Sequence, residues 1–185
     1  MNRLFLPIAR TLTLAAALLG FGLATSVSHA DPRPANCSTT LPAMTGTVDG
    51  HLANDPVAGL RMETWVIVNR DTGQVDTTTH ARSLFLAKGF TASSFSVGFD
   101  ACGRAIALTP PVNTSVEAIW FGQSSRWKST HLDIDPRLAQ RIARIEVVNA
   151  HSPASAQEIF NRWKPVVCAA VRIISLWIGK PISCP

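Results

Sequence analysis

No two of the four cysteines in this 185-residue sequence stand close together: Cys37, Cys102, Cys168 and Cys184 are scattered along the chain. That spacing argues against a structural zinc site, whose thiolates come in short knuckles, and no Cys-x-x-Cys redox motif is present. A Gly-x-Ser-x-Gly elbow, a His-Glu-x-x-His helix, a phosphate-binding glycine loop and a dinucleotide fingerprint are missing too. These absences exclude the enzyme classes that carry a local signature, but not sites assembled from residues distant in sequence. The chain has no internal repeat and no low-complexity tract, and nothing in it calls for a metal or a cofactor.

Charge is absent between Arg10 and Asp31. Arg3 and Arg10 flank the start of an apolar run around Leu12 to Leu23, and Ser28-His29-Ala30 has the small-x-small form of a cleavage site. Residues 1–30 are therefore expected to be a signal peptide of bacterial style, removed on export. With no cysteine near that site a lipid anchor is not expected, and without twin arginines the chain should be exported unfolded. The mature residues 31–185 then suit a single domain, secreted or periplasmic, with no transmembrane anchor. In an oxidising compartment the four cysteines imply two disulfides, for which three pairings exist. Cys37 with Cys102 and Cys168 with Cys184 is the favoured scheme, since the second bond would fasten a C-terminal helix to its own tail.

The formal charge of +5 falls to +3 once Arg3 and Arg10 are removed. Residues 31–119 carry 6 basic and 8 acidic side chains, whereas residues 120–185 carry 9 and 4. Such a basic C-terminal portion suits an anionic surface, such as lipopolysaccharide, teichoic acid or nucleic acid. A merely solvated basic face is the plainer reading, because the charges form no dense run.

Strand signals dominate residues 44–150. Met44 to Val48 reads as a short strand and Asp49 to Pro56 as a turn-rich loop. Leu60 to Asn69 is a strong strand, joined through Arg70-Asp71-Thr72-Gly73 to the threonine-rich Gln74 to His80. Gly73 supplies the positive φ that such a hairpin needs. Ser83 to Leu86, Ser94 to Phe99 and Arg104 to Leu108 follow, the last stopped by Pro110-Pro111. A second hairpin is expected from Ser115 to Phe121, a turn at Gly122 to Ser125, and Arg126 to Ile134. Pro136 to Asn149 fits helix through Leu138, Ile142 and Ile145, yet Ile145 to Val148 also fits a strand.

A helix is expected across 153–179. Ser155-Ala156-Gln157-Glu158 has capping-box form, and Ile159, Trp163, Val167, Val171, Ile174 and Ile178 recur at helical steps. Pro165 should kink or restart it, and Gly179 and Pro181 end it. Val166 to Gly179 is too short to span a bilayer and contains Arg172, which points to a helix packed on a sheet. The expected class is α+β: a β-rich, antiparallel, sandwich-like domain with a C-terminal helix, stapled by disulfides.

Within residues 46–85, Gly46-Thr47-Val48, Pro56-Val57-Ala58-Gly59 and Thr77 to Phe85 follow one another. That order resembles the carboxypeptidase regulatory-like and transthyretin-like β-sandwich modules. His80, Arg82 and Ser83 stand where their pattern has Asp, Asp and Gly. The resemblance implies a sandwich that binds or scaffolds, and it carries no catalytic residues to transfer.

Among polar residues the densest constellation is Ser129-Thr130-His131-Leu132-Asp133-Ile134-Asp135. Strand alternation would put Ser129, His131, Asp133 and Asp135 on one face, where an imidazole beside two carboxylates can bind a divalent metal or act as a general base, although a metal would need a further ligand that the sequence does not identify. An ordinary solvated strand face yields the same alternation. Trp127 would share that face, with Arg126 and Lys128 on the other, and an aromatic with basic neighbours near a hairpin tip can stack on a sugar or a partner side chain. Trp65, Trp120, Trp163 and Trp177 are expected in the core. Glu63, Asp76, Asp100 and Glu117 could contribute a distant carboxylate. Asn36-Cys37-Ser38 and Asn113-Thr114-Ser115 match the glycosylation pattern, unused in a bacterial context.

Three functions stand open. The first is a secreted or periplasmic binding or interaction protein, of toxin-subunit, adhesion-factor or inhibitor type, meeting a protein or glycan ligand through Trp127, Arg126 and Lys128. The second is a small secreted hydrolase using His131 with Asp133 or Asp135. The third is a structural component of an envelope assembly.

Overall fold

The computed structural model describes residues 43–84, 89–119, 123–179 and 181–184. They form eight strands, β1 Thr47–Val57, β2 Leu60–Asn69, β3 Gln74–Ser83, β4 Phe90–Phe99, β5 Ala105–Leu108, β6 Val112–Val116, β7 Ser124–Asp133 and β8 Arg144–Ala150. Two helices accompany them, α1 Pro136–Ala139 and α2 Pro153–Ile178. The expected signal peptide and Cys37 lie outside the described residues, as do Phe85 and Leu86 of the expected strand Ser83 to Leu86, and Gly122 of the expected turn.

Strands β1, β2, β3 and β7 pair in that order, each antiparallel to its neighbour. In β2, period-2 alternation buries Leu60, Met62, Thr64, Val66 and Val68 and turns Arg61, Glu63, Trp65 and Ile67 outward. The β2–β3 hairpin forms as its sequence predicts. Gly73 takes φ 82°, and a Cβ there would lie 2.1 Å from the Ile134 carbonyl oxygen, so any other residue would push the chain off this turn. Asp49 to Pro56, expected as a loop, is instead the body of β1, because pairing with β2 satisfies its backbone from Thr47 to Asn54.

The second sheet is built around β4. Its long ladder with β8 covers one edge, and β6 and β5 share the other, β6 on residues 90–94 and β5 on 97–99. Successive side chains of β4 therefore meet different partners. The Ser94 hydroxyl bonds to Thr79 of the first sheet at 2.8 Å, whereas Phe95 and Phe99 make edge contacts with Phe160 and Trp163 of α2. A strand enclosed on both faces reads as a continuous buried run, and residues 92–99 are all buried.

The second expected hairpin does not form. β6 pairs with β4, and β7 crosses to the other sheet to pair with β3 over Gln74↔Asp133 to Ser83↔Ser124. Ten cross-strand pairs along β3 give β7 a fuller ladder than the five-residue β6 could offer. Residues 136–149 resolve into both readings, the short α1 and then β8.

One apolar core joins Val66, Val68 and Val75 of the first sheet, Phe95, Val97 and Ile106 of the second, Ile142, and Phe160, Val167, Val171 and Ile174 of α2. A polar seam crosses it. Thr64 hydrogen-bonds to Thr79 at 3.1 Å and donates to Asn149 Oδ1 at 2.8 Å, and Asn149 Nδ2 donates to the Leu52 carbonyl and to Asn54 Oδ1. Buried polar atoms tie β1, β2, β3 and β8 together because each must find a partner away from water.

Helix α2 starts at Pro153, and its N-cap lies three residues before the start of the expected capping box. Ser152 is its N-cap, accepting from the Ser155 backbone N–H, with Pro153 at the first helical position. It runs on through Pro165 as one helix and ends at Gly179, φ 68°. Cys168 and Cys184 are disulfide-bonded with Cα atoms 5.3 Å apart, which fastens the helix to the tail as expected. Cys102 is also disulfide-bonded.

Candidate functional site

The outward face of the first sheet gathers the chemistry-bearing side chains. Register sets its layout. At one end Asp49, Ile67, Asp76 and His131 align across β1, β2, β3 and β7, and at the other Arg61 and Arg82 pair beside Ser125. Between them lie His51 opposite Trp65, and His80 opposite Trp127. An aspartate-rich end and an arginine-bearing end therefore bracket the aromatic band, with the Glu63 carboxylate between the band and Arg61.

The aromatic band is a continuous stack. His51 lies on Trp65 at 5.1 Å between ring centroids, Trp65 on Trp127 at 5.6 Å, and Trp127 on His80 at 4.1 Å, with planes within 18° of parallel throughout. Trp65 thus departs from its expected place in the core. In the run Trp65-Val66-Ile67-Val68, strand alternation gives the interior to the valines and the surface to Trp65 and Ile67. Trp163 does pack against the core, Trp120 lies outside the described residues, and α2 carries Trp177. Trp127 remains 58% exposed, so the band presents a broad indole surface to solvent. Beside it Thr78 and Ser129 hydrogen-bond across strands at 3.0 Å, and His51 Nε2 meets Glu63 at 3.1 Å.

Arg126 and Lys128 flank Trp127 in sequence but belong to the opposite side of β7, and Lys128 Nζ donates to the Asn113 carbonyl at 2.8 Å. The positive charge that accompanies Trp127 on its own face comes instead from Arg61 and Arg82, through register that sequence spacing does not express.

His131 is held between two carboxylates, Nδ1 with Asp76 at 3.0 Å and Nε2 with Asp133 at 3.2 Å. The Asp76 hydrogen bond chiefly raises its pKa above the ordinary 6.5; desolvation opposes it, and the charges of Asp133 and Asp76 add to the rise. Asp133 was legible from alternation; Asp76, 55 residues away, comes from the β3–β7 pairing. Asp135 serves elsewhere, capping α1 through the Arg137 backbone N–H at 2.9 Å and pairing with the Arg137 guanidinium. All three members of the His131 group are half-exposed or more on an open sheet face. His80 behaves in the opposite sense: burial first, and then the Arg82 charge, lower its pKa, while Glu63 pulls the other way.

Among the described residues, no group of three or more His, Cys, Asp or Glu is arranged to hold a metal ion. A small apolar cavity lined by Val68, Val75, Ile134, Ile142 and Ile145 lies in the core and does not include the outer face. Comparison with protein families, curated proteins and solved structures finds no match for this chain.

Proposed function

We propose that this chain is an exported binding protein whose contact surface is the outer face of the sheet β1-β2-β3-β7. The observation that carries the reading is the stack His51–Trp65–Trp127–His80, crossing all four strands with Trp127 more than half exposed. Soluble proteins rarely leave so large an aromatic surface uncovered without using it, and indoles supply contact area with few torsions to freeze. The unlike ends of the face, Asp49, Asp76 and Asp133 at one and Arg61 and Arg82 at the other, would fix the direction in which a protein or glycan ligand lies along the strands. A sandwich-like packing of the two sheets suits this role, since it holds the face rigid from beneath. The disulfide at Cys168–Cys184 fits a secreted or periplasmic location.

The hydrolase alternative finds less support. A general base needs a free lone pair near its substrate, but both ring nitrogens of His131 are occupied by carboxylates, which favours the doubly protonated ring. The test is capture on glycan and protein arrays, followed by titration of the captured ligand against wild type, Trp127→Ala and His131→Ala. Binding should fall with Trp127→Ala and persist in His131→Ala; undiminished binding by Trp127→Ala would remove the proposed surface.

A further inference from the structure

We propose that acid opens the aromatic band: protonation of His80 and His51 parts both imidazoles from the indoles of Trp127 and Trp65. On the reading of the outer face as the contact surface, on which this rests, acidification then releases the ligand. Three of the four histidines beyond residue 30 stand on this one face, His51, His80 and His131, and only His151 lies elsewhere. Two of them cap the indole pair, His51 on Trp65 at 5.1 Å and His80 on Trp127 at 4.1 Å. Imidazole is the side chain whose charge changes between pH 5 and 8.

Carboxylates are too few where the caps meet. In register, His80 of β3 lies between Glu63 of β2 and Trp127 of β7. Arg82 follows it two residues along β3, Arg61 of β2 stands opposite Arg82, and Asp76, four residues away, is engaged by His131. The β7 neighbours on this face, Ser125 and Ser129, carry no charge, and Arg126 and Lys128 belong to the other side of that strand. His51 has Asp49 two residues along β1, and its Nε2 meets Glu63 at 3.1 Å; Asp55 lies exposed at the far end of β1. Glu63 is therefore the carboxylate that both caps share. With the imidazoles neutral it faces Arg61 and Arg82, and protonating both caps sets four cations around it.

His80 meets this crowding from a half-buried place, so a charge on it also loses water. Burial first, and then the Arg82 charge, hold its pKa below the ordinary 6.5, while Glu63 pulls the other way. By linkage, a ring whose pKa falls on folding fits the folded band worse once charged. The attraction of an indole face for a cation opposes the separation, but it is weakest at exposed sites, and a ring that swings outward regains its hydration. The opening leaves the fold intact, because the ladders of β1, β2, β3 and β7 are main-chain bonds and the core lies on their other side. His131 takes no part, since Asp76 and Asp133 favour its charged form.

Near-ultraviolet circular dichroism of the tryptophan pair, followed from about pH 8 to about pH 5, tests the proposal. The signal should fall reversibly with a midpoint below 6.5 and with the far-ultraviolet spectrum unchanged. By NMR, the Trp127 indole N–H should shift with the same midpoint as the His80 ring. His51→Phe/His80→Phe keeps two flat rings without a titrating nitrogen and should hold the signal across the range, whereas His151→Gln should leave the transition as it is. A signal independent of pH, a transition that survives in the double variant, or far-ultraviolet loss at the same midpoint overturns the proposal. So does a Trp127 indole that fails to follow His80, a wild-type measurement that stands even where the double variant does not fold. A ligand captured on the glycan and protein arrays at about pH 7.5 should bind at least about tenfold more weakly at about pH 5, and equal binding at both overturns the release. Arrays that capture nothing, beside a reversible pH-dependent signal, remove the contact-surface reading alone and support the switch.

Discussion

Replacing Trp127 by alanine is the most searching perturbation of the outer face, because one side chain holds the band together. The indole is 58% exposed, so roughly 100 Å² of a large aromatic side chain is shielded, worth about 2–3 kcal/mol at ~25 cal/mol per Å² before allowing for burial in the unfolded chain. Counted instead as cross-strand pairs with Trp65 and His80, at about 0.2–1 kcal/mol each, the contribution is about 0.4–2 kcal/mol. The two scales meet near ~2 kcal/mol, which should lower the urea midpoint by about 1 M at an m-value of about 2 kcal/mol per M. A double-mutant cycle with His80→Ala isolates the 4.1 Å stack and should return about 0.5–1.5 kcal/mol of coupling. Near-ultraviolet circular dichroism should lose the signal of the Trp65–Trp127 pair in the same variant. A loss below about 0.5 kcal/mol, zero coupling and an unchanged near-ultraviolet spectrum would mean that the band is not formed in solution.

Asn149→Ala removes the acceptor of the Thr64 hydroxyl, which keeps only Thr79, and the donor to the Leu52 carbonyl and Asn54, so it should destabilise by about 1–3 kcal/mol; a neutral result by chemical denaturation would contradict the polar seam. The two histidines should titrate on opposite sides of 6.5, with His131 above and His80 below, as followed by NMR, and Asp76→Asn should bring His131 down. Their linkage to folding has opposite signs. The His131 contribution is fully present below its unfolded pKa and is lost as pH rises through the raised folded value. The His80 contribution is present above the unfolded value and is lost as pH falls toward the lowered one. Cys168→Ser/Cys184→Ser opens a bond spanning a sequence separation of 16 and should remove about 3 kcal/mol, with thermal unfolding as the check.

Residue order alone determined a good deal of this protein. The strand β2 from Leu60 to Asn69, the turn at Gly73, the helix that ends at Gly179 and the bond from Cys168 to Cys184 all follow from local signals: alternation, a positive-φ glycine, helical spacing and two cysteines near one element. Local signals act within about one turn or one hairpin, and these features close within that distance. The outer face lay beyond them. Alternation showed that Trp127 and His131 share a side of β7, but which strand runs alongside was a matter of long-range pairing, and β7 chose β3 over β6. From that one choice come the Asp76 carboxylate on His131, the indole of Trp127 over His80 and Trp65, and the arginines that flank the band. Trp65 faces outward for a related reason: a period of two sorts side chains into two sets, and only the packing of both sheets decides which set is the core.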